Sequence, residues 1–229
     1  MSVVAENIGG SSAFLTVPLK HLDCGAAVGQ RCIVQAGQIQ LAKHTINFKN
    51  AALWKGPIGR EYRHSRIKSE NIAAFKAVLD RKAAPQSAWR HISGGSEGGA
   101  RFSGLGLIRK LHENPAEARN LIGLGQGLTP AGDDILVGFL AMANHAPGNR
   151  AFLSALHEAV AHSLCKTVDI SAQALANALN CDYHEYVQNC IRDLCEGGKE
   201  AVYISAASLI NMGATSGSDI ACGMYFGMI

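Results

Sequence analysis

With 229 residues, 48% of them apolar and 17% charged, the chain is long enough to bury a core without disulfide help, as one large or two small globular domains. A formal charge of +3, with Lys and Arg scattered along the sequence, argues against nucleic acid as the partner and leaves a small molecule or a protein. Seven cysteines in no framework spacing fit reduced thiols, and neither a leader-like segment nor an apolar run near the roughly 20 residues of a bilayer span is evident. A cytoplasmic protein without a membrane partner is therefore expected.

The N-terminal part reads as strands. Ala13–Val17 and Arg31–Gln35 are short apolar runs, while Gln38–Ala42 and Thr45–Lys49 alternate, with Ile39/Leu41 and Ile46/Phe48 on one face. That alternation marks a half-buried antiparallel sheet, with Ala36-Gly37 as a tight turn. Pro57 and Gly59 close the region. Ile72, Phe75, Val78 and Leu79 then recur at helical spacing within Asn71–Lys82, which predicts a helix packed on the sheet. From Ser93 to Gly106 the chain is glycine-rich, too long for a mere connector. Asn114-Pro-Ala-Glu117 has the residues of a reciprocal helix cap for a short helix.

Next comes Leu121-Ile-Gly-Leu-Gly-Gln-Gly-Leu-Thr-Pro-Ala-Gly-Asp-Asp134, followed by the apolar run Ile135–Met142. Thr129 suits an N-cap and Pro130 the first helical position, where a missing N–H costs nothing. Gly123, Gly125 and Gly127 allow φ > 0 and close approach to a ligand, and free N–H groups of a first helical turn attract anions. The stretch is built like a cradle for an anion or polar ligand.

Part of it recurs near the C-terminus. Ala131–Gly138 lines up without a gap on Ser216–Gly223, sharing Gly-x-Asp-Ile-x-x-Gly, with Thr129 and Thr215 close before each. Two related helix starts facing one pocket are expected, with Asp134 and Asp219 as matched carboxylates and Asp133, Ser216 and Ser218 beside them. The bland alternative is two glycine-faced helices packing tightly, their acids merely stabilising helix N-termini by about 0.3–1 kcal/mol each. Thr167-Val-Asp-Ile-Ser171 likewise has two readings: a helix start capped by Asp169 or Ser171, or Thr167 and Ser171 offering hydroxyls to the pocket.

Carboxylates next to a phosphate cradle conflict, because like charges repel. Either Mg²⁺ bridges them, or the carboxylates accept hydrogen bonds from an amide or amine while the N–H groups hold an anion. The second suits a substrate with both an NH₂ and an acidic group.

The remainder, Ala151–Cys165, Ser171–Leu179, Asp182–Cys195, Lys199–Met212 and Ile220–Met228, is helical in pattern. The fold class is α+β: a β-rich N-terminal region over residues 1–110 and an α-helical region over 111–229. Four motifs are discarded. Gly94-Gly-Ser96-Glu-Gly98 lacks the strand and helix of a hydrolase elbow. His157 and His162 are five apart, about 140° round a helix. Cys190 and Cys195 are also five apart with no C-x-x-C, which argues against zinc, and Gly123-x-Gly-x-Gly127 is neither a dinucleotide fingerprint nor a P-loop.

The run at 123–134, with Thr-Ser-Gly-Ser-Asp at 215–219 and Thr-x-x-x-Ser at 167–171, resembles a bacterial family that includes the AllH-type small subunit of oxamate carbamoyltransferase. The resemblance is dense over 121–229. It implies carbamoyl exchange between carbamoyl phosphate and oxamate, in purine (allantoin) breakdown, alongside two other subunits. Gln126 stands where that family usually has proline, Ala131 where it has serine and Ala214 where a histidine often stands, which removes a hydroxyl and an imidazole from the pocket. The leading expectation is a carbamoyl-transfer subunit in which the cradle binds phosphate or carboxylate and Asp134 and Asp219 position an amide or a metal. The alternatives are a non-catalytic scaffolding or regulatory subunit and a Mg²⁺-dependent hydrolase.

Overall fold

A computed structural model describes residues 2–5, 14–17, 30–41, 44–51, 56, 58–59, 62, 66–94, 104–146 and 149–229. The chain divides into two compact units, Met1–Gly56 and Pro57–Ile229.

The first unit contains two sheets. Strand β1 (Ser2–Ala5), which the sequence pattern did not indicate, pairs in parallel with β2 (Phe14–Val17). Strands β3 (Cys32–Gln35), β4 (Gln38–Leu41) and β5 (His44–Asn47) form an antiparallel sheet in the order β3-β4-β5. Gln35 pairs with Gln38 across the expected two-residue turn, where Gly37 takes φ +80°, a conformation open to glycine without a Cβ clash. Ile39 lies opposite both Val34 and Ile46 and is buried, whereas Gln38 and Gln40 on either side are more exposed. The period-2 alternation therefore marks a real face.

The second unit is helical: α1 (Ser69–Lys82), α2 (Ala88–Ser93), α3 (Ala118–Leu121), α4 (Ala131–Ala143), α5 (Arg150–Ala161), α6 (Asp169–Leu179), α7 (Glu185–Glu196), α8 (Lys199–Ile210) and α9 (Ser216–Met228). Short 3-10 helices lie at Leu105–Lys110, Pro115–Glu117 and Leu164–Lys166. The α+β class thus holds. Ser96 and the centre of the 93–106 glycine-rich stretch lie outside the described residues.

Helices α4 and α9 cross at the centre, with α1, α2, α6, α7 and α8 around them. Every residue of α4 from Gly132 to Ala143 is buried, as is nearly all of α9, so beyond their first turns both run apolar on all sides, as core helices do. Asn71 of α1 fastens the turn between α7 and α8, its Nδ2 donating to the carbonyls of Leu194 (3.1 Å) and Gly197 (3.0 Å). Helix-end carbonyls, which have no partner within their own helix, are thereby satisfied.

Several helix starts differ from the expectation. Helix α4 begins at Ala131 with Pro130 as its N-cap, and the Pro130 carbonyl accepts from the N–H groups of Asp133 (2.9 Å) and Asp134 (3.2 Å). Thr129 is one residue too early to cap, and its hydroxyl is used elsewhere. At Asn114 no side-chain cap forms, because the chain enters as a 3-10 turn and Glu117 instead accepts from the side chains of Asn114 (3.3 Å) and Asn120 (2.7 Å). Helix α6 starts at Asp169 with Val168 as an N-cap lacking a side-chain bond, so neither Asp169 nor Ser171 caps it.

Candidate functional site

The two related segments start helices of the same length, 13 residues each, and the glycines they share do the same work in both. A Cβ on Gly132 would lie 2.0 Å from the carbonyl oxygen of Leu121 in the preceding helix, and one on Gly217 1.9 Å from that of Leu209. A Cβ on Gly138 would lie 1.9 Å from Ile220 O, and one on Gly223 1.9 Å from Ile135 O. Ile135 and Ile220 are themselves equivalent positions. The crossing is therefore an internal near-twofold, and helix backbones approach closely because no side chain intervenes.

That crossing brings the two helix starts together. The hydroxyls of Thr129 and Ser216, 87 residues apart in sequence, lie 2.7 Å from each other. Asp134 and Asp219 occupy the fourth position of α4 and α9 respectively, and both are buried. Burial raises the Asp134 carboxyl well above the usual carboxylate range, and the facing Asp219 raises it further. The Ser216 and Thr129 hydroxyls draw it down, and Asp133 adds a smaller upward push. Burial also raises Asp219, to about 7, against the Ala88 N–H and the Thr215 hydroxyl.

The equivalent acids differ in their partners. Asp219 Oδ1 accepts from the backbone N–H of Ala88 at 2.6 Å, which caps α2 at its first residue. Next to it, buried Ser218 accepts from the Ala84 N–H at 3.0 Å. Asp134 Oδ2 is buried and, among the described residues, has no hydrogen-bond partner.

Asp133 is a brace. Its Oδ1 accepts from the Gly123 N–H at 2.8 Å and its Oδ2 from the Thr167 hydroxyl at 2.5 Å. Burial raises this carboxyl too, opposed by Thr167, Gly123 and Ser171. Ser171 donates to the Leu128 carbonyl at 3.4 Å. Thr167 and Ser171 thus converge on the glycine loop from the start of α6.

In that loop Gly123, Gly125 and Gly127 take φ of +78°, +123° and +94°, all in the region that L side chains rarely adopt. A Cβ on Gly123 would also meet Lys166 O at 2.6 Å, and one on Gly125 would meet Ala131 N at 2.6 Å, whereas Gly127 faces open space. Gly125, Gln126, Gly127 and Leu128 are exposed, and among the described residues their N–H groups donate to no protein acceptor. Alternating positive φ thus leaves a short run of exposed N–H groups that the described residues themselves do not use.

Sequence reasoning missed the α2 start at Ala88 and the bracing role of Asp133. Asp133 and Asp134 are adjacent and chemically identical, and only the helical rotation between them sends one to the loop and the other to the crossing. Of the discarded motifs, His157 bonds through Nε2 to Asn144 Oδ1 at 2.7 Å and His162 to its own helix at Glu158 O. Among the described residues, Cys32, Cys165, Cys181, Cys190, Cys195 and Cys222 form no disulfide. Among the described residues no group of three or more His, Cys, Asp or Glu could hold a metal ion, and no helix is long and apolar enough to cross a membrane. A cavity of about 240 Å³ lies at the other ends of α4 and α9, lined by His112, Ala143, Arg150, Phe152 and Gly227 among others.

The family model described as oxamate carbamoyltransferase subunit AllH matches residues 121–228, from the glycine loop to the end of α9. This part of the chain is AllH-like. The match takes in the whole near-twofold crossing and all three acids. No curated protein and no solved structure matches the chain.

Proposed function

We propose that this chain is a subunit of a carbamoyl-transfer complex of the oxamate carbamoyltransferase kind, and that it binds a small anionic or amide substrate at the paired helix starts. The observation carrying this reading is the 2.7 Å contact between Thr129 and Ser216, which joins the glycine loop to the second helix start beside the buried Asp134. The family description, a subunit of that enzyme, supports the reaction class and implies other polypeptides in the assembly.

The exposed N–H groups of Gly125, Gly127 and their neighbours would hold a phosphate or carboxylate, with Thr129, Thr215 and Ser216 adding hydroxyls. Transfer of a carbamoyl group needs the two reactants oriented and the developing oxyanion stabilised, and helix starts with free donors supply both without a protein nucleophile. Asp134 would face the reacting region, while its equivalent Asp219 is engaged by the Ala88 N–H. Mg²⁺ would have to sit where two helix N-termini direct their positive ends, which disfavours a cation and makes a Mg²⁺-dependent hydrolase the poorer reading. A scaffolding subunit gains support from Asp219 and Ser218, whose acceptors are both used within the chain.

Thermal unfolding with carbamoyl phosphate, oxamate, inorganic phosphate and Mg²⁺ separates these. A binding subunit melts at higher temperature with the first three, by mass action. A response to Mg²⁺ alone would favour the hydrolase, and no response to any would leave the scaffold. Co-purification of other polypeptides with the tagged chain tests the complex.

A further inference from the structure

The near-twofold crossing supplies its own control for the two equivalent acids. Asp134 and Asp219 stand at the same helical position, and the glycines around them meet equivalent backbone atoms at 1.9–2.0 Å. On one side, Asp219 accepts a backbone N–H, that of Ala88, at 2.6 Å. On the other, Asp134 presents a buried Oδ2 without a partner among the described residues. A carboxyl oxygen taken out of water and left unbonded is costly, about 1–3 kcal/mol, so such an atom in a folded core marks a place where a partner is expected.

Resting on the function proposed above, we infer that Asp134 Oδ2 is the acceptor for an N–H group of the bound substrate, as Asp219 is for Ala88, which makes Asp134 the residue that selects a primary amide. The anionic end of the same ligand lies on the loop N–H groups next to Thr129, whose hydroxyl joins Ser216 and adjoins Asp134. The two acids therefore have separate jobs: Asp219 holds α2 in place, and Asp134 reads the ligand.

A proton readout follows. The titratable groups that act on Asp134 are Asp219 across the crossing and Asp133 beside it, both acidic, and with burial they favour its protonated form. An N–H donor favours the carboxylate instead, so amide binding near neutral pH releases a proton to solvent.

The test compares oxamate with pyruvate, in which a methyl replaces the NH₂ on an otherwise similar 2-oxo carboxylate frame, using the full chain and titration calorimetry in two buffers of different ionisation enthalpy. Oxamate is expected to bind at least about tenfold tighter than pyruvate, one well-made hydrogen bond's worth, and to release a proton that pyruvate does not. In Asp134→Ala, or in Asp134→Leu if the alanine variant fails to fold, no acceptor remains, and the preference for oxamate over pyruvate and the proton release are lost. Equal binding of oxamate and pyruvate by the wild-type chain, or a preference that survives both substitutions, overturns the role of Asp134 and leaves the proposed function standing. Binding of neither, and no binding of carbamoyl phosphate, removes the proposed function and this assignment with it.

Discussion

Gly138 and Gly223 occupy equivalent places in the two central helices, each lying where a Cβ would sit 1.9 Å from a carbonyl oxygen of the other, Ile220 O and Ile135 O respectively. The obstacle in both cases is backbone in a buried helix, which cannot swing aside as a side-chain end would. Gly138→Ala or Gly223→Ala is therefore expected to destabilise by about 3 kcal/mol or more, at the upper end of overpacking effects. Urea unfolding measures this. Gly127→Ala, at a position where a Cβ meets nothing, is expected to cost only the strain of φ +94°, about 1–2 kcal/mol.

Asp219 gives a pH dependence with a definite sign. Its folded-state carboxyl is raised to about 7, above an unfolded value near 3.9. The folded chain therefore holds a proton that the unfolded chain has lost between those values, and stability falls as pH rises. The contribution is complete below about pH 4, declines by up to about 1.4 kcal/mol per pH unit, and is gone above about pH 7. Asp219→Asn keeps an acceptor for the Ala88 N–H but cannot ionise. The stability of the variant relative to wild type is expected to improve from pH 5 to pH 8, and a difference independent of pH would refute the assignment.

Asp133 ties the glycine loop to the start of α6 through the Gly123 N–H and the Thr167 hydroxyl. Asp133→Ala leaves both donors without their acceptor in a partly buried place, at a cost of about 2–4 kcal/mol. Hydrogen exchange is the more specific measurement: the Gly123 amide should lose protection in this variant, whereas amides in the middle of α8 should not change relative to the global stability.

Asn71 makes a prediction remote from the site. Its buried amide donates to the ends of α7 at Leu194 and Gly197, so Asn71→Leu, close in volume but without a donor, should destabilise by about 2–3 kcal/mol. Thermal unfolding checks this. No change in ligand affinity should accompany it.

The sequence carried the near-twofold in plain view, because its determinants are glycines at fixed spacing and two identical Asp-Ile pairs, and those residues act through local geometry alone. The sheet of β3, β4 and β5 was readable for the same reason: alternation over four residues is a local signal. The separate role of Asp133 was not, because no local pattern shows that its carboxylate reaches back to the Gly123 N–H and across to the Thr167 hydroxyl. The capture of Ala88 by Asp219 spans 131 residues and leaves no local trace. Strand β1 also escaped, since its pairing with β2 is defined by a partner rather than by any pattern of its own.

The reciprocal contacts of Gly138 and Gly223 follow the rule of an isologous dimer, in which patch one meets patch two and patch two meets patch one. In a homodimer every mutation strikes both halves at once. Here the halves are encoded separately, so one copy can drift while the other is held fixed. A single polypeptide can thus keep one carboxylate as a strut and turn its twin toward a guest.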